Sequence, residues 1–136
     1  MKRVMFACKR NSCRSQMAEG FAKRYPDLRV TSAGLESSAV NPTARAVMAE
    51  VGVDVSGQSS KPLSDFRPED FDAVISLCGC GVNLPEGWTS RALFEDWFID
   101  DPDGQAVETF RRVRDEVRER VEDLSSRLAV QPEVAR

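Results

Sequence analysis

Near its start the chain reads Val4-Met5-Phe6-Ala7-Cys8-Lys9-Arg10-Asn11-Ser12-Cys13-Arg14-Ser15. Four apolar residues in a row, Val4 to Ala7, are typical of a strand buried on both faces of a parallel sheet. The polar loop from Cys8 to Arg14 follows at once. From Ser15 onward, apolar residues recur every three or four positions, which predicts an amphipathic helix that ends before Pro26. The chain therefore opens with a strand, a loop and a helix.

The same alternation of strand and helix continues along the chain. Leu28 to Ser32 predicts a second strand, closed by Gly34. Asn41 is a typical helix N-cap and is followed by Pro42, which suits the first helical position, so a second helix is expected to begin there. Gly52 marks the end of that helix.

The second half of the chain holds two more predicted strands and a long helix. Phe71 to Leu77 is the strongest strand pattern in the sequence, and Arg91 to Trp97 predicts a shorter edge strand. Between Phe110 and Leu128, apolar residues recur every three or four positions with Arg and Glu between them. This pattern indicates an amphipathic helix with a solvated charged face. The residues after Leu128 are expected to fray.

Elements in this order predict an α/β fold of three layers, with a parallel sheet and right-handed crossovers. A chain of 136 residues can bury one core, so residues 1–136 are interpreted as a single domain. The 19 basic and 22 acidic residues form no basic arm, which disfavours nucleic-acid binding. Because there is no apolar run of about 20 residues and no signal peptide pattern, the sequence predicts a cytoplasmic protein without a membrane partner.

The chain contains no histidine, which excludes Ser-His-Asp triads, Cys-His dyads and His-ligated metal sites. Its four cysteines are Cys8, Cys13, Cys78 and Cys80. Because cytoplasmic thiols are kept reduced, these residues are expected to carry out chemistry rather than to form a structural disulfide framework.

The loop that begins at Cys8 ends in Arg14 and Ser15 and lies between a buried strand and a helix start. Backbone N–H groups of such a loop and the positive end of the helix converge on a tetrahedral oxyanion, and Arg14 adds a bidentate donor. The same field favours the thiolate of Cys8, and the Ser15 hydroxyl is placed to donate a hydrogen bond to it. An inert buried thiol is the alternative for Cys8. The predicted oxyanion-binding residues are Lys9, Arg10, Asn11, Ser12, Cys13 and Arg14.

Segments spread over nearly the whole chain resemble one known superfamily. They are Cys8–Gly20, Thr31–Gly34, Val40–Pro42, Leu77-Cys78, Asp100–Gly104 and Phe110–Glu116. This pattern resembles the low-molecular-weight protein tyrosine phosphatase superfamily and, within it, the thiol-dependent arsenate reductases. The resemblance implies a four-stranded parallel sheet flanked by helices. It also makes Asp101 the general acid, although alone this residue would be interpreted as an ordinary turn former.

Within this superfamily, a second thiol separates a reductase from a phosphatase. Arsenate has the shape and charge of phosphate, so one loop binds both anions, but only a reductase needs a second thiol to attack the Cys8 sulfur and expel arsenite. Cys78 follows a central parallel strand and is expected at the same sheet edge as Cys8. With Cys80 as the resolving thiol, the resemblance implies a disulfide relay that reduces arsenate for arsenic detoxification. Phosphate and sulfate are the expected competing anions.

Two other functions remain open from the sequence. A tyrosine phosphatase could use the same loop, but Asp103-Gly104 replaces the aromatic pair that follows Asp-Pro in those enzymes, so only weak phosphatase activity is expected. The third alternative is a metal site or a module that only binds. A four-cysteine zinc site would need two Cys-x2–4-Cys clamps, whereas four residues and one residue separate the cysteine pairs here. Cys13 either pairs with Cys8 on oxidation or fills space behind the loop, and the second interpretation is favoured.

Three residues match positions that support the loop in related reductases: Asn11, Glu19 and Ser32. Some of those relatives hold a potassium ion there with a further acidic residue, but Lys61 stands at the acidic position in this chain. The Lys61 ammonium is therefore expected to contact Glu19 in place of the ion, and no bound metal is expected.

The electron donor is inferred from the spacing of Cys78 and Cys80. Only Gly79 separates them, so a disulfide between them would strain the usual Cα separation and would be easily reduced. This pattern resembles that of the reductases linked to glutathione and glutaredoxin. Glutathione and glutaredoxin are therefore expected as donors in preference to thioredoxin, and no bound cofactor is expected.

Overall fold

The structure, a computed structural model, describes residues 2–78 and 84–132. The described part of the chain holds four strands and three α-helices. In chain order they are β1 (Lys2–Cys8), α1 (Arg14–Ala22), β2 (Leu28–Gly34), α2 (Pro42–Glu50), β3 (Ala73–Ser76), β4 (Leu93–Asp96) and α3 (Val107–Arg127). Two short 3-10 turns, Leu63–Asp65 and Pro68–Asp70, precede β3. The predicted order of strands and helices, with two strands in succession before the last helix, is therefore confirmed.

The four strands form one parallel sheet in the order β2-β1-β3-β4. Within it, β1 is central, since Val4 is paired with Val30 on one side and with Ala73 on the other. The apolar run that begins at Val4 is buried, as expected for a strand with neighbours on both edges. Because all four strands are parallel, their carboxyl ends meet at one edge of the sheet, where α/β folds place their sites.

The two faces of the sheet bury different partners. Val4 and Phe6 of β1 lie in one apolar cluster with residues of all three α-helices. Met5 and Ala7 point to the opposite face, where Leu63 and neighbouring loop residues cover them. The resulting layers are helices, sheet and 3-10 turns with loops, which agrees with the four-stranded parallel sheet and three helices expected from the sequence.

The predicted boundaries of α2 are confirmed by its capping contacts. The Asn41 side chain accepts hydrogen bonds from the backbone N–H groups of Thr43 (2.8 Å) and Ala44 (3.1 Å), and Pro42 occupies the first helical position. Just past the helix, Gly52 has a φ of +78°, which a residue without a Cβ adopts without strain.

The long helix α3 buries the predicted apolar stripe and carries most of its charges on the outside. Arg114 is the exception, because this arginine is buried and its guanidinium donates to Val47 O (2.9 Å) and to the Glu50 carboxylate (2.8 Å). Arg114 therefore links α3 to α2 by hydrogen bonds, and the sequence pattern did not indicate this contact. No helix in residues 2–78 and 84–132 has the length and apolarity that crossing a membrane requires.

The prediction that the chain frays after Leu128 is wrong for the next two residues. The N–H of Ala129 donates to Ser126 O (3.0 Å), and that of Val130 donates to Ser125 O (3.1 Å). Together with a φ of +57° at Ala129, these bonds form a Schellman cap, and Val130 is buried. The cap was missed because its left-handed position, which glycine usually occupies, holds an alanine here.

We predict that Ala129→Gly stabilises the protein by about 0.5–1 kcal/mol, because glycine relieves the steric cost of the left-handed backbone. Urea unfolding measures this change. Ala46→Gly is the matched control: Ala46 is exposed inside α2, so the same substitution there should destabilise by about 1 kcal/mol. A destabilising effect at position 129 would contradict the strain inferred for Ala129.

Candidate active site

A pocket of about 440 Å³ lies at the mouth of the loop between β1 and α1, at the carboxyl edge of the sheet. Its lining combines the loop with residues from distant parts of the chain. The lining residues are Cys8, Lys9, Arg10, Ser12, Cys13, Arg14, Ser38, Asp101 and Asp103. The structure thus brings the predicted loop and Asp101 together in one pocket.

Cys8 is the last residue of β1 and faces the start of α1. Its Sγ lies 2.9 Å from the Ser15 hydroxyl oxygen, and both residues are buried. The N-cap residue Cys13 provides no side-chain cap, and the first turn of α1 contains no acidic residue. The positive end of the helix is therefore available to an anion at the Cys8 sulfur.

Arg14 reaches from α1 to the two other segments that border the pocket. Its Nη1 donates to Ile99 O (2.8 Å) and to Leu77 O (3.4 Å), and its Nη2 lies 3.8 Å from Asp101 Oδ2. The guanidinium is buried, and within residues 2–78 and 84–132 its Nε has no hydrogen-bond partner. A buried N–H without a partner is costly, so this group suits a bound oxyanion.

Asn11 holds the loop in shape from below. It is fully buried with a φ of +52°, a left-handed conformation in which Asn is enriched. Its Nδ2 donates to Ser15 Oγ (2.8 Å) and Ser32 Oγ (2.9 Å), while its Oδ1 accepts from the backbone N–H of Lys61 (2.9 Å). The side-chain amide therefore joins the loop to α1, β2 and the segment before the first 3-10 turn.

Glu19 continues this network, but its cation is not the one predicted. Ser32 Oγ donates to the buried Glu19 carboxylate (2.5 Å), and the ammonium of Lys23 lies 3.0 Å from the other carboxylate oxygen. The Lys61 ammonium instead donates to Ser59 O (2.6 Å). The expected Lys61–Glu19 contact is therefore wrong, because Lys23 follows Glu19 by one helical turn and reaches it first. The hydrogen bond from Lys61 to the loop comes from its backbone N–H.

Asp101 lies at the exposed rim of the pocket. Its Oδ1 accepts the backbone N–H of Asp103 (3.0 Å), and its Oδ2 is the atom that faces Arg14. The same segment is held at two further points, by Asp100 with Arg112 (3.1 Å) and by Asp103, which accepts from Asn41 Nδ2 (3.2 Å). Asp101 therefore forms a turn and also presents a carboxyl group to the pocket.

The described cysteines occupy three different environments. Cys13 is buried among apolar residues, and this burial raises the pKa of its thiol to about 12, which agrees with the space-filling interpretation. Cys8 and Cys13 are free thiols, whereas Cys78 is half-buried and disulfide-bonded. Cys78 follows β3 at the expected sheet edge but does not line the pocket. Cys80 lies outside the described residues, so its pairing stays a prediction.

A metal site has no support within residues 2–78 and 84–132, where no three His, Cys, Asp or Glu side chains are grouped closely enough to hold an ion. The zinc interpretation depends partly on Cys80, which is not among these residues.

The family model described as low molecular weight phosphotyrosine protein phosphatase matches residues 3–134. This chain belongs to that family. Among curated relatives, a glutaredoxin arsenate reductase from Synechocystis sp. is 61% identical over 131 residues, which cover 95% of this chain and 100% of the relative. An arsenate reductase from Staphylococcus aureus is 42% identical over 129 residues, which cover 93% of this chain and 98% of the relative.

Two solved structures are also similar to this chain. An arsenate reductase in the phosphate-binding state is 62% identical to this chain with a TM-score of 0.88, covering 93% of this chain and 98% of that one. The YwlE arginine phosphatase from Geobacillus stearothermophilus shares the fold, with a TM-score of 0.80 at 24% identity over 95% of this chain and 94% of its own.

Sequence reasoning missed two residues that line the pocket, Ser38 and Asp103. Ser38 Oγ donates to Arg10 O (3.2 Å), as does Ser60 Oγ (3.1 Å), so two serines from separate loops fix the outer part of the anion loop. No spacing in the sequence connects these serines to Arg10. Asp103, in contrast, lies in the same Asp-Pro-Asp-Gly turn as Asp101 and could have been recognised from it.

We predict that Lys23→Met destabilises the protein by about 1 kcal/mol, because it removes the ammonium that pairs with the buried Glu19 carboxylate. The effect is modest because the Lys23 side chain is half exposed. Lys61→Met is the matched control and should change stability by less than about 0.5 kcal/mol. Urea unfolding of both variants measures the difference. Equal effects would contradict the assignment of Lys23 as the partner of Glu19. Replacing sodium with potassium at equal ionic strength should leave the wild-type stability unchanged.

Proposed function

We propose that this protein is an arsenate reductase that converts arsenate to arsenite through cysteine chemistry. The observation that carries the proposal is the Cys8 sulfur, 2.9 Å from the Ser15 hydroxyl, at a pocket where the buried Arg14 Nε has no partner among the described residues. That arrangement suits a nucleophile beside a tetrahedral oxyanion. The names of the relatives at 61% and 42% identity agree with this activity.

The first step is formation of a bond between Cys8 and arsenic. Loop N–H groups, the helix start and Arg14 hold the arsenate oxygens, while the Ser15 hydroxyl, 2.9 Å from the Cys8 sulfur, is placed to donate to it during the attack. The thiolate attacks arsenic and one oxygen leaves. Asp101, at the rim of the same pocket, protonates that oxygen so that it departs as water.

The second step reduces arsenic with two electrons from sulfur. The thiolate of Cys78 attacks the Cys8 sulfur, a disulfide forms, and the electron pair of the sulfur–arsenic bond leaves with arsenic as arsenite. Cys78 lies at the correct sheet edge but outside the pocket, so this step requires the segment after β3 to approach Cys8. Cys80 then attacks Cys78 and releases Cys8 as a thiol for the next cycle.

The disulfide that remains must be reduced by an external thiol. We assign this role to glutathione and glutaredoxin, because one glycine between Cys78 and Cys80 leaves little chain with which to present the disulfide elsewhere. The 61% identical relative is named a glutaredoxin arsenate reductase, which supports the assignment. Such a relay operates in the reducing cytoplasm and would serve arsenic detoxification.

Phosphatase activity is the second candidate, since the same loop would bind a phosphoryl group. None of the pocket-lining residues in the described part of the chain is aromatic, so these residues offer no ring to stack on a phosphotyrosine side chain. We therefore assign phosphate ester hydrolysis only as a weak side activity, with phosphate and sulfate as competing anions.

The reaction is tested by arsenite release in the presence of glutathione and glutaredoxin. Cys8→Ser should release none, because no sulfur–arsenic bond can form. Cys78→Ser should form the Cys8 adduct but release no arsenite from it. Cys13→Ala is the control and should retain most of the activity, since the Cys13 thiol stays protonated and packs in the core. Substantial arsenite release by Cys8→Ser would overturn the mechanism.

The donor assignment is tested by the same assay with two reducing systems. We expect multiple turnovers with glutathione and glutaredoxin. Efficient turnover with thioredoxin and its reductase, together with none from the glutathione system, would contradict the assigned donor and leave arsenate reduction itself intact.

Asp101→Asn should slow formation of the Cys8 adduct by roughly 10²- to 10⁴-fold, the usual contribution of a positioned general acid, with little change in arsenate binding. Single-turnover kinetics measure the adduct directly. Asp103→Asn neutralises a neighbouring carboxylate of the same pocket and should cost less than about tenfold. Equal rates for Asp101→Asn and the wild type would leave Asp101 as a turn residue only.

A further inference from the structure

Ser76 is the last residue of β3 and is fully buried, and its hydroxyl oxygen lies 3.7 Å from the sulfur of Cys78. Residues two apart along a strand direction project to the same side of the sheet, which places this hydroxyl beside the sulfur. Because Cys78 is disulfide-bonded, its sulfur carries no hydrogen. In this contact the Ser76 hydroxyl is therefore the donor and the sulfur is the acceptor.

The contact resembles the one at the nucleophile. There, the Ser15 hydroxyl lies 2.9 Å from the sulfur of Cys8. The two sulfurs that must carry negative charge in the proposed relay, those of Cys8 and Cys78, thus each have a buried serine hydroxyl beside them. A hydroxyl that donates to a thiolate favours the charged form of the sulfur.

Cys13 shows why the surroundings of the sulfur also matter. Its sulfur is 3.9 Å from the Ser12 hydroxyl, which lowers the pKa of the thiol, yet deep burial outweighs this effect and raises the pKa to about 12. Cys78 is only half-buried, so a thiolate there loses less hydration. A neighbouring serine hydroxyl can therefore decide the charge state at Cys78, whereas burial decides it at Cys13.

We propose that Ser76 is a catalytic residue of the disulfide relay, whose hydroxyl stabilises the thiolate of Cys78. This role rests on the proposed function, because only a relay requires Cys78 to carry charge. The Cys78 thiolate takes part in two steps of the proposed relay. It is the nucleophile that attacks the Cys8 sulfur, and it is the leaving group when an external thiolate opens the Cys78 disulfide.

In the opening step, the external thiolate attacks the other sulfur of the disulfide and forms a new sulfur–sulfur bond with it. The old bond breaks, and its electron pair stays on Cys78 as the thiolate that Ser76 stabilises. A second glutathione, or glutaredoxin, then reduces the mixed disulfide and completes the transfer of two electrons. Ser76 thus directs the attack away from Cys78, because the better-stabilised thiolate leaves faster.

Alkylation of the fully reduced enzyme by iodoacetamide, followed residue by residue with mass spectrometry across pH, tests this proposal. Ser76→Ala should raise the midpoint for Cys78 alkylation by about one pH unit, the size expected from losing a hydrogen bond to a charged group. The midpoint for Cys8 should not move. Ser15→Ala should raise the midpoint for Cys8 and leave that for Cys78 unchanged. Ser76→Thr, which keeps a hydroxyl, should retain the wild-type midpoint for Cys78.

An unchanged Cys78 midpoint in Ser76→Ala would overturn the proposal. A second measurement needs no variant: oxidised wild-type enzyme treated with limiting glutathione should carry glutathione on the former disulfide partner of Cys78. Glutathione found mainly on Cys78 would also overturn the proposal. Neither experiment contains arsenate, so failure here is separate from a failure of arsenate reduction, which the release assay detects.

Discussion

The site depends on the hydrogen bonds and the ion pair that the Arg14 guanidinium makes. The guanidinium joins the anion loop to the carbonyl of Leu77, directly before Cys78, and to the carbonyl of Ile99, two residues before Asp101. The proposed nucleophile Cys8, the proposed second thiol Cys78 and the proposed acid Asp101 therefore come from three segments that one buried cation links. Removing it would leave two carbonyls without their donor and the pocket without its buried charge, so its structural and chemical roles cannot be separated.

A chain of polar contacts supports this cation from behind the loop. Asn11 joins Ser15 to Ser32, and Ser32 in turn donates to Glu19, whose second oxygen pairs with Lys23. Each of these links is made between groups that would be costly to bury alone. The network therefore fixes the position of the Ser15 hydroxyl, which faces the Cys8 sulfur. Buried residues thus determine the geometry around Cys8.

Much of the fold could be predicted because the controlling signals are local. Apolar runs located the strands, Asn41-Pro42 located the start of α2, and the spacing between Phe110 and Leu128 located α3. The order of strands in the sheet was not predicted from spacing, since it depends on which edges meet after the chain folds. The cap at Ala129 was missed for a different reason, because a strained left-handed alanine carries no compositional signal. Buried Arg114 was likewise indistinguishable from its solvated neighbours on α3.

The candidate site was predictable where its residues are adjacent in sequence, as in the loop from Cys8 to Ser15. It was less so where distant loops converge, as with Ser38. The Lys61 error shows how a matched position can mislead, because a positional match does not reveal the competing ammonium of Lys23, one helical turn from Glu19.

The left-handed, fully bonded Asn11 has a consequence for how the enzyme selects its substrate. A loop shaped in advance loses little conformational entropy when an anion enters, and it complements any tetrahedral oxyanion of the right size and charge. In the proposed mechanism, phosphate therefore competes with arsenate for the pocket. Discrimination against phosphate then falls to the proposed electron-transfer step, because phosphorus does not accept the electron pair that arsenic takes from sulfur. In such a mechanism, arsenate is selected over phosphate by the rate of the chemical step and not by binding, and the enzyme is blocked while phosphate occupies the pocket.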